Sequence, residues 1–172
     1  DFRHITFGSI LGEDRKLMKT RSGDNVALRD VLDEAVVRAR KLVDEKNPEL
    51  PQKERDEVAK IIGIGAVKYA DLSQYRMTDY IFSWDRMLAL QGNTAPYLQN
   101  AYVRIRSIFR KAGEEFAAPN ELALTEPAEL QLAKRLTQFA ETVPQVLNDF
   151  RPNLLANYLF DLANAFHSFY EA

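Results

Sequence analysis

The densest group of side chains that could do chemistry lies between Asp85 and Glu114, where the chain contains no acidic residue. The basic side chains in this window are Arg86, Arg104, Arg106, Arg110 and Lys111. Tyr97 and Tyr102 lie in the same stretch. Arginine and lysine pair with phosphate groups, and an aromatic ring gives a nucleobase a surface for stacking. The window predicts a local RNA-binding surface, although the formal net charge is only −2.

Composition excludes several other kinds of site. The 172 residues include no cysteine, which excludes a disulfide framework and cysteine-ligated zinc or iron–sulfur centres. His4 and His167 are isolated in the sequence and predict no histidine-rich metal site. No apolar run reaches the roughly 18 residues that a membrane helix needs, and the N-terminus has no signal-peptide pattern. We expect a soluble, cytoplasmic protein with no membrane partner.

The first half of the chain reads as short extended segments followed by two helices. Apolar residues around Gly8 predict one or two strands over 2–11, and the Gly-rich, charged segment 12–25 predicts an exposed loop. Helical periodicity begins at Leu28 and must end at Asn47–Pro51, because prolines interrupt a helix. A second helix begins after Pro51. Residues 78–90 are predicted to be extended or irregular.

The second half is predicted to be helical throughout. Thr94 followed by Pro96 indicates a helix start, and that helix runs to Ala112. Residues 113–124 are predicted to be a linker, and three helices follow at 126–139, 142–150 and 152–171. The fold class is therefore mainly α, with two or three short strands. The last four helices are expected to form a bundle, with a domain boundary near Gly92.

Three blocks of sequence resemble the same protein family. They are MKTRSG (residues 18–23), AVKYADLS (66–73) and GNTAPYLQNAY (92–102). Each resembles a segment in the C-terminal half of arginyl-tRNA synthetases, which are class I enzymes. The resemblance implies that 1–92 is the C-terminal part of a Rossmann-like catalytic domain, including its ATP loop. It implies that 93–172 is a helical anticodon-binding domain truncated at its C-terminus.

The block at 18–23 resembles the mobile ATP-handling loop of the class. The resemblance implies catalytic roles for Lys19, Thr20 and Arg21, and contacts with ATP from Met18, Lys19, Arg21, Ser22 and Gly23. Mg²⁺ is expected to accompany the ATP. A cation on a flexible loop can close over the negative charge that develops on the phosphates. A threonine stands where the general class pattern has its second lysine. In the arginyl family a lysine elsewhere compensates, and we expect it upstream.

The block at 92–113 resembles the first helix of the family's anticodon-binding domain. With the acid-free window, it gives the candidate tRNA-binding residues Asn93, Tyr97, Tyr102, Arg104, Arg106 and Arg110. The expected RNA partner is tRNA(Arg). The alternative is an amphipathic bundle helix whose arginines are merely solvated, because charged helix faces are ordinary.

The resemblance implies an arginine–tRNA ligase, which activates arginine with ATP and transfers it to the 3′ end of the tRNA. We expect this chain to be part of a longer, monomeric enzyme. We also expect it to be inactive alone, because it lacks the class motif of the His-x-Gly-His type, the arginine pocket and most of the nucleotide-binding sheet.

Three alternatives stay open. The chain could be a non-catalytic RNA-binding module, or a purely structural helical interaction domain. Cysteinyl-tRNA synthetases have a related anticodon-binding domain, and their zinc ligands would lie largely outside this segment, so the absence of cysteine argues only mildly against them. The TRSG and GNTAPY segments favour the arginyl family.

Overall fold

The computed structural model describes residues 2–18, 26–113 and 123–172. The chain divides into two compact units, Asp1–Pro96 and Tyr97–Ala172, a few residues after the boundary predicted near Gly92. The elements in chain order are β1 (Ile10–Leu11), α1 (Leu28–Lys46), α2 (Gln52–Leu72), β2 (Tyr80–Ile81), α3 (Trp84–Met87), α4 (Ala95–Ala112), α5 (Pro127–Thr137), α6 (Phe139–Asp149) and α7 (Pro152–Glu171). The prediction of a mainly helical fold with short strands is confirmed.

The two strands are short and parallel, with Ile10 opposite Tyr80 and Leu11 opposite Ile81. A parallel pair requires a crossover connection, and α1 and α2 lie between the strands in the chain. The strand predicted over 2–11 is therefore confirmed only at its end. Residues 2–9 form no regular strand, although the backbone N–H of Gly8 donates to the carbonyl oxygen of Arg76 and the carbonyl oxygen of Ser9 accepts from the N–H of Tyr80.

Helices α1 and α2 pack against each other closely enough to require a glycine. A Cβ atom at Gly63 would lie 2.7 Å from the carbonyl carbon and oxygen of Ala35. Any larger residue at Gly63 would push the two helices apart. The turn between them is the one that the prolines predict, since α1 ends at Lys46 and α2 begins at Gln52.

The segment 78–90 is more ordered than its sequence predicts. It contains β2 and the single-turn helix α3, and it supplies Phe82 and Met87 to the core of the first unit. The Phe82 ring meets the Trp84 ring edge-on, with centroids 4.7 Å apart. Sequence periodicity misses α3 because four residues are too few to show a helical repeat.

The second unit is built around α7, against which α5 and α6 pack. Pro127 occupies the start of α5, where Glu126 and Glu129 form a reciprocal capping box. Only Gln138 separates α5 from α6, so the break predicted between 139 and 142 lies earlier in the structure. Helix α4 reaches α7 through a small buried cluster of Ala101, Ala163 and Phe166.

Candidate functional site

Helix α4 carries most of the predicted RNA-binding residues. Gly92 adopts a positive φ of 81°, and the hydroxyl of the buried Thr94 donates to the carbonyl oxygen of Ala89 at 2.7 Å. These features fix the turn that leads into the first residue of the helix. Arg110 and Lys111 lie in its last turn, where positive side chains interact favourably with the helix dipole.

Tyr97 is directed toward α7. Its hydroxyl donates to Oδ1 of Asn164 at 2.6 Å, and its ring lies 5.0 Å from that of His167 and 5.6 Å from that of Phe160. Burial raises the pKa of Tyr97 above its ordinary value of 10.0. The residue is half-buried, and its contacts tie α4 to α7 within the second unit.

Arg104, like Tyr97, contacts α7. Its guanidinium lies over the Tyr170 ring at 5.2 Å, and its Nη1 lies 3.5 Å from Nδ1 of His167. Burial lowers the pKa of His167, and the charge of Arg104 lowers it further, while Glu171 opposes them. His167 is therefore neutral near pH 7 and accepts at Nδ1. We call Tyr97, Arg104, His167 and Tyr170 the inner cluster.

Tyr102, Arg106 and Arg110 lie on another side of α4, which we call the outer face. Residues four and eight positions apart share one side of a helix. Tyr102 is 64% exposed, and both arginines are exposed. Within residues 2–18, 26–113 and 123–172, neither arginine forms an ion pair with a carboxylate. The outer face therefore presents two cations and one aromatic ring to solvent.

Asn93 belongs to the first unit. Its Oδ1 accepts a hydrogen bond of 2.6 Å from the hydroxyl of Tyr69 on α2. Burial raises the pKa of Tyr69 to about 12, so this hydroxyl stays protonated and can donate near neutral pH. The structure therefore places Asn93 at a cavity of the first unit and the other five candidates on α4 in the second.

Of the predicted ATP loop, the structure describes Met18. Its backbone N–H donates to the carbonyl oxygen of Ile10 at 3.1 Å, and its side chain packs against the core of the first unit. An antiparallel bridge between Leu11 and Leu17 closes the turn that precedes it. The remaining predicted residues, Lys19, Thr20, Arg21, Ser22 and Gly23, lie outside the described residues.

Two kinds of feature are missing from the described ranges. They contain no group of three or more His, Cys, Asp or Glu side chains that could hold a metal ion. They also contain no helix with the length and hydropathy needed to span a membrane.

The predicted RNA-binding residues do not include one exposed aromatic residue that lies beside the outer face. Phe109 is 50% exposed and lies seven positions after Tyr102, which is two helical turns. Its position follows Arg106 by three residues and adjoins Arg110. Extending the aromatic pattern from Tyr102 by helical spacing would have found it.

Two family models match the chain in succession. The catalytic domain of the class I (R) tRNA synthetases matches residues 1–84, and the DALR anticodon binding domain matches residues 98–172. The two matches follow the same order along the chain as the two compact units.

Individual relatives agree with these matches. The chain is 55% identical to the arginine–tRNA ligase of Enterobacter sp. (strain 638) over 170 residues, and 54% identical to that of Klebsiella pneumoniae (strain 342). Each alignment covers 98% of this chain but only 30% of the relative, so the chain spans about a third of the length of these curated relatives.

Solved structures give the same result. The Thermus thermophilus arginyl-tRNA synthetase superposes with a TM-score of 0.85 at 35% identity, over 98% of this chain and 27% of that one. The Plasmodium falciparum arginyl-tRNA synthetase superposes with a TM-score of 0.80 at 31% identity, over 98% of this chain and 28% of the other.

Proposed function

We propose that this chain, which belongs to the arginyl-tRNA synthetase family, is the C-terminal part of an arginine–tRNA ligase that attaches arginine to tRNA(Arg) with ATP. The observation that carries the proposal is the outer face of α4. It presents Tyr102, Arg106 and Arg110 to solvent in the part of the chain that matches an anticodon-binding domain. Paired arginines suit RNA phosphates, and an exposed tyrosine suits an unstacked base.

The two parts of the chain have different tasks in this proposal. Residues 1–92 complete the catalytic domain and supply the ATP loop. Residues 93–172 bind the anticodon region of the tRNA. The match of residues 1–84 to a catalytic-domain model and of residues 98–172 to an anticodon-binding model supports this division.

The ATP loop supplies positive charge to the activation step. Lys19 and Arg21 stabilise the charge that develops on the phosphates, Thr20 donates a hydrogen bond, and Met18, Ser22 and Gly23 shape the loop around ATP. The packed side chain of Met18 supports a fixed start for that loop. Mg²⁺ would offset phosphate charge while bound to ATP. Arginine and the remaining catalytic groups would be bound by the rest of the longer protein.

Recognition of tRNA involves two groups of residues in α4. Tyr102, Arg106 and Arg110 contact the RNA directly from the outer face. Tyr97 and Arg104 contribute from the inner cluster, where their hydrogen bonds and ring contacts fix the orientation of the helix. Asn93, in the first unit, also takes part in tRNA binding.

The experiment has a binding arm and a catalytic arm. Unmodified tRNA(Arg) transcript is titrated into the 172-residue chain at several salt concentrations, and we expect an affinity that falls steeply as salt rises. Aminoacylation by the chain alone should be undetectable, whereas the complete polypeptide encoded by its reading frame should charge tRNA(Arg). The proposal is refuted if neither the 172-residue chain nor the complete polypeptide binds tRNA at low salt. It is also refuted if the complete polypeptide transfers no arginine.

A further inference from the structure

A cavity of about 340 Å³ lies within the first unit, beside Asn93. It is lined by the C-terminal half of α2, by β2 and α3, and by the residues that precede α4. Its polar lining includes Tyr69, Gln74, Ser83 and Arg86. A concave site with a few convergent polar groups is typical of ligand binding. Neither Met18 nor the outer face of α4 lines it among the described residues.

Arg86 is the cation among the residues that line this cavity. Its side chain is exposed, and in the described ranges it forms no ion pair with a carboxylate. Asp79 also lines the cavity, but its Oδ1 already accepts a 2.6 Å hydrogen bond from the backbone N–H of Ser9. The guanidinium is thus available to an anion that enters from solvent.

Apart from Asp79, the polar side chains that line the cavity with Arg86 are neutral hydrogen-bonding groups. The Tyr69 hydroxyl donates to Asn93, and the Tyr80 hydroxyl lies 3.4 Å from Oδ1 of Asp71. Burial raises the pKa of both tyrosines to about 12, so neither adds negative charge at neutral pH. Hydroxyl and amide groups beside a single cation match a ligand that combines one negative charge with sugar hydroxyls.

We propose that this cavity binds one phosphate–ribose unit of the tRNA backbone, with Arg86 pairing with the phosphate and the surrounding hydroxyl and amide groups contacting the ribose. A phosphodiester carries one negative charge, which a single arginine matches, whereas the triphosphate of a free nucleotide carries several. The inference rests on the proposed function, because it assumes that tRNA is the partner. It adds an RNA contact in the first unit and gives Asn93 a place within it.

The test compares Arg86→Ala and Arg86→Lys in the complete polypeptide encoded by the reading frame. We expect Arg86→Ala to weaken tRNA(Arg) binding about fivefold, as the loss of one solvent-exposed ion pair predicts. The slope of log affinity against log salt should fall by about 0.7 to 0.9, the contribution of one phosphate contact. Arg86→Lys should retain that slope and part of the affinity. Arg29→Ala removes an exposed arginine outside the cavity and should change neither quantity.

The outcomes separate this inference from the proposed function. If the unmodified protein binds tRNA and Arg86→Ala binds equally well with an unchanged salt slope, the cavity does not hold the backbone. If the unmodified protein does not bind tRNA at all, the proposed function fails and this inference fails with it. Titration with ATP alone distinguishes the ligand source: Arg86→Ala should leave ATP affinity unchanged, and weakening of ATP binding without weakening of tRNA binding would overturn the assignment.

Discussion

Tyr97 and Arg104 of the inner cluster lie on the same helix as the outer face and are of the same residue types, yet their environments differ. Tyr97 and Arg104 contact α7 through a hydrogen bond and ring contacts. Tyr102 and Arg106, only a few residues away, are exposed. A basic, aromatic stretch of sequence therefore serves two purposes at once. One set of side chains holds the helix in its bundle, and the other is available to RNA.

The largest expected effect comes from Tyr97 of the inner cluster. Tyr97→Ala removes a packed ring and a hydrogen bond, and should lower the free energy of unfolding by about 3 kcal/mol. Tyr102→Ala should change it by no more than about 0.5 kcal/mol, because an exposed residue has few contacts to lose. Urea denaturation followed by circular dichroism measures both. Similar losses for the two variants would abolish the distinction between the two sides of α4.

The next largest effect concerns the outer face. Reversing both of its charges with Arg106→Glu and Arg110→Glu should weaken tRNA(Arg) binding about thirtyfold and should reduce the salt dependence by about two phosphate contacts. The thermal midpoint should fall only slightly, because Arg110→Glu loses a favourable interaction with the helix dipole while neither arginine pairs with a carboxylate in the described residues. Binding is measured by fluorescence anisotropy with labelled tRNA.

The matched control for this pair is Lys53→Glu with Lys60→Glu. Both lysines are exposed on α2, so the change in net charge is identical but lies in the first unit. An equal loss of tRNA affinity in the control would show that overall charge, not the outer face, governs binding.

The smallest effect is a pH dependence that arises in the inner cluster. The pKa of His167 is lowered below 6.5 in the folded protein by burial and by Arg104, so the unfolded chain binds a proton more readily. The contribution of neutral His167 to the free energy of unfolding is therefore complete above about pH 7. It declines as the pH falls through the pKa of the unfolded chain toward the lower pKa of the folded protein. Denaturation at a series of pH values from about 7.5 to 5.5 measures this slope. His167→Gln should flatten it, whereas an unchanged slope in this variant would contradict the assignment.

Several features followed from sequence because they depend on local backbone rules. The prolines at 48 and 51 fix the turn between α1 and α2, since proline cannot continue a helix. The range predicted for the last helix, 152–171, agrees with α7. Short ordered pieces were harder to predict. The length of β1 depends on pairing with β2, about seventy residues away, and no local pattern encodes that partner.

The sequence by itself determined that the chain is mainly helical, that α4 carries a basic and aromatic stretch, and that its motifs resemble the arginyl-tRNA synthetases. Tertiary structure alone decided which of those α4 side chains are available. Tyr97 contacts Asn164, and Arg104 contacts His167 and Tyr170, which all lie more than sixty residues later in the chain. Helical periodicity defines the sides of a helix, but only packing against a distant helix selects the side that becomes buried.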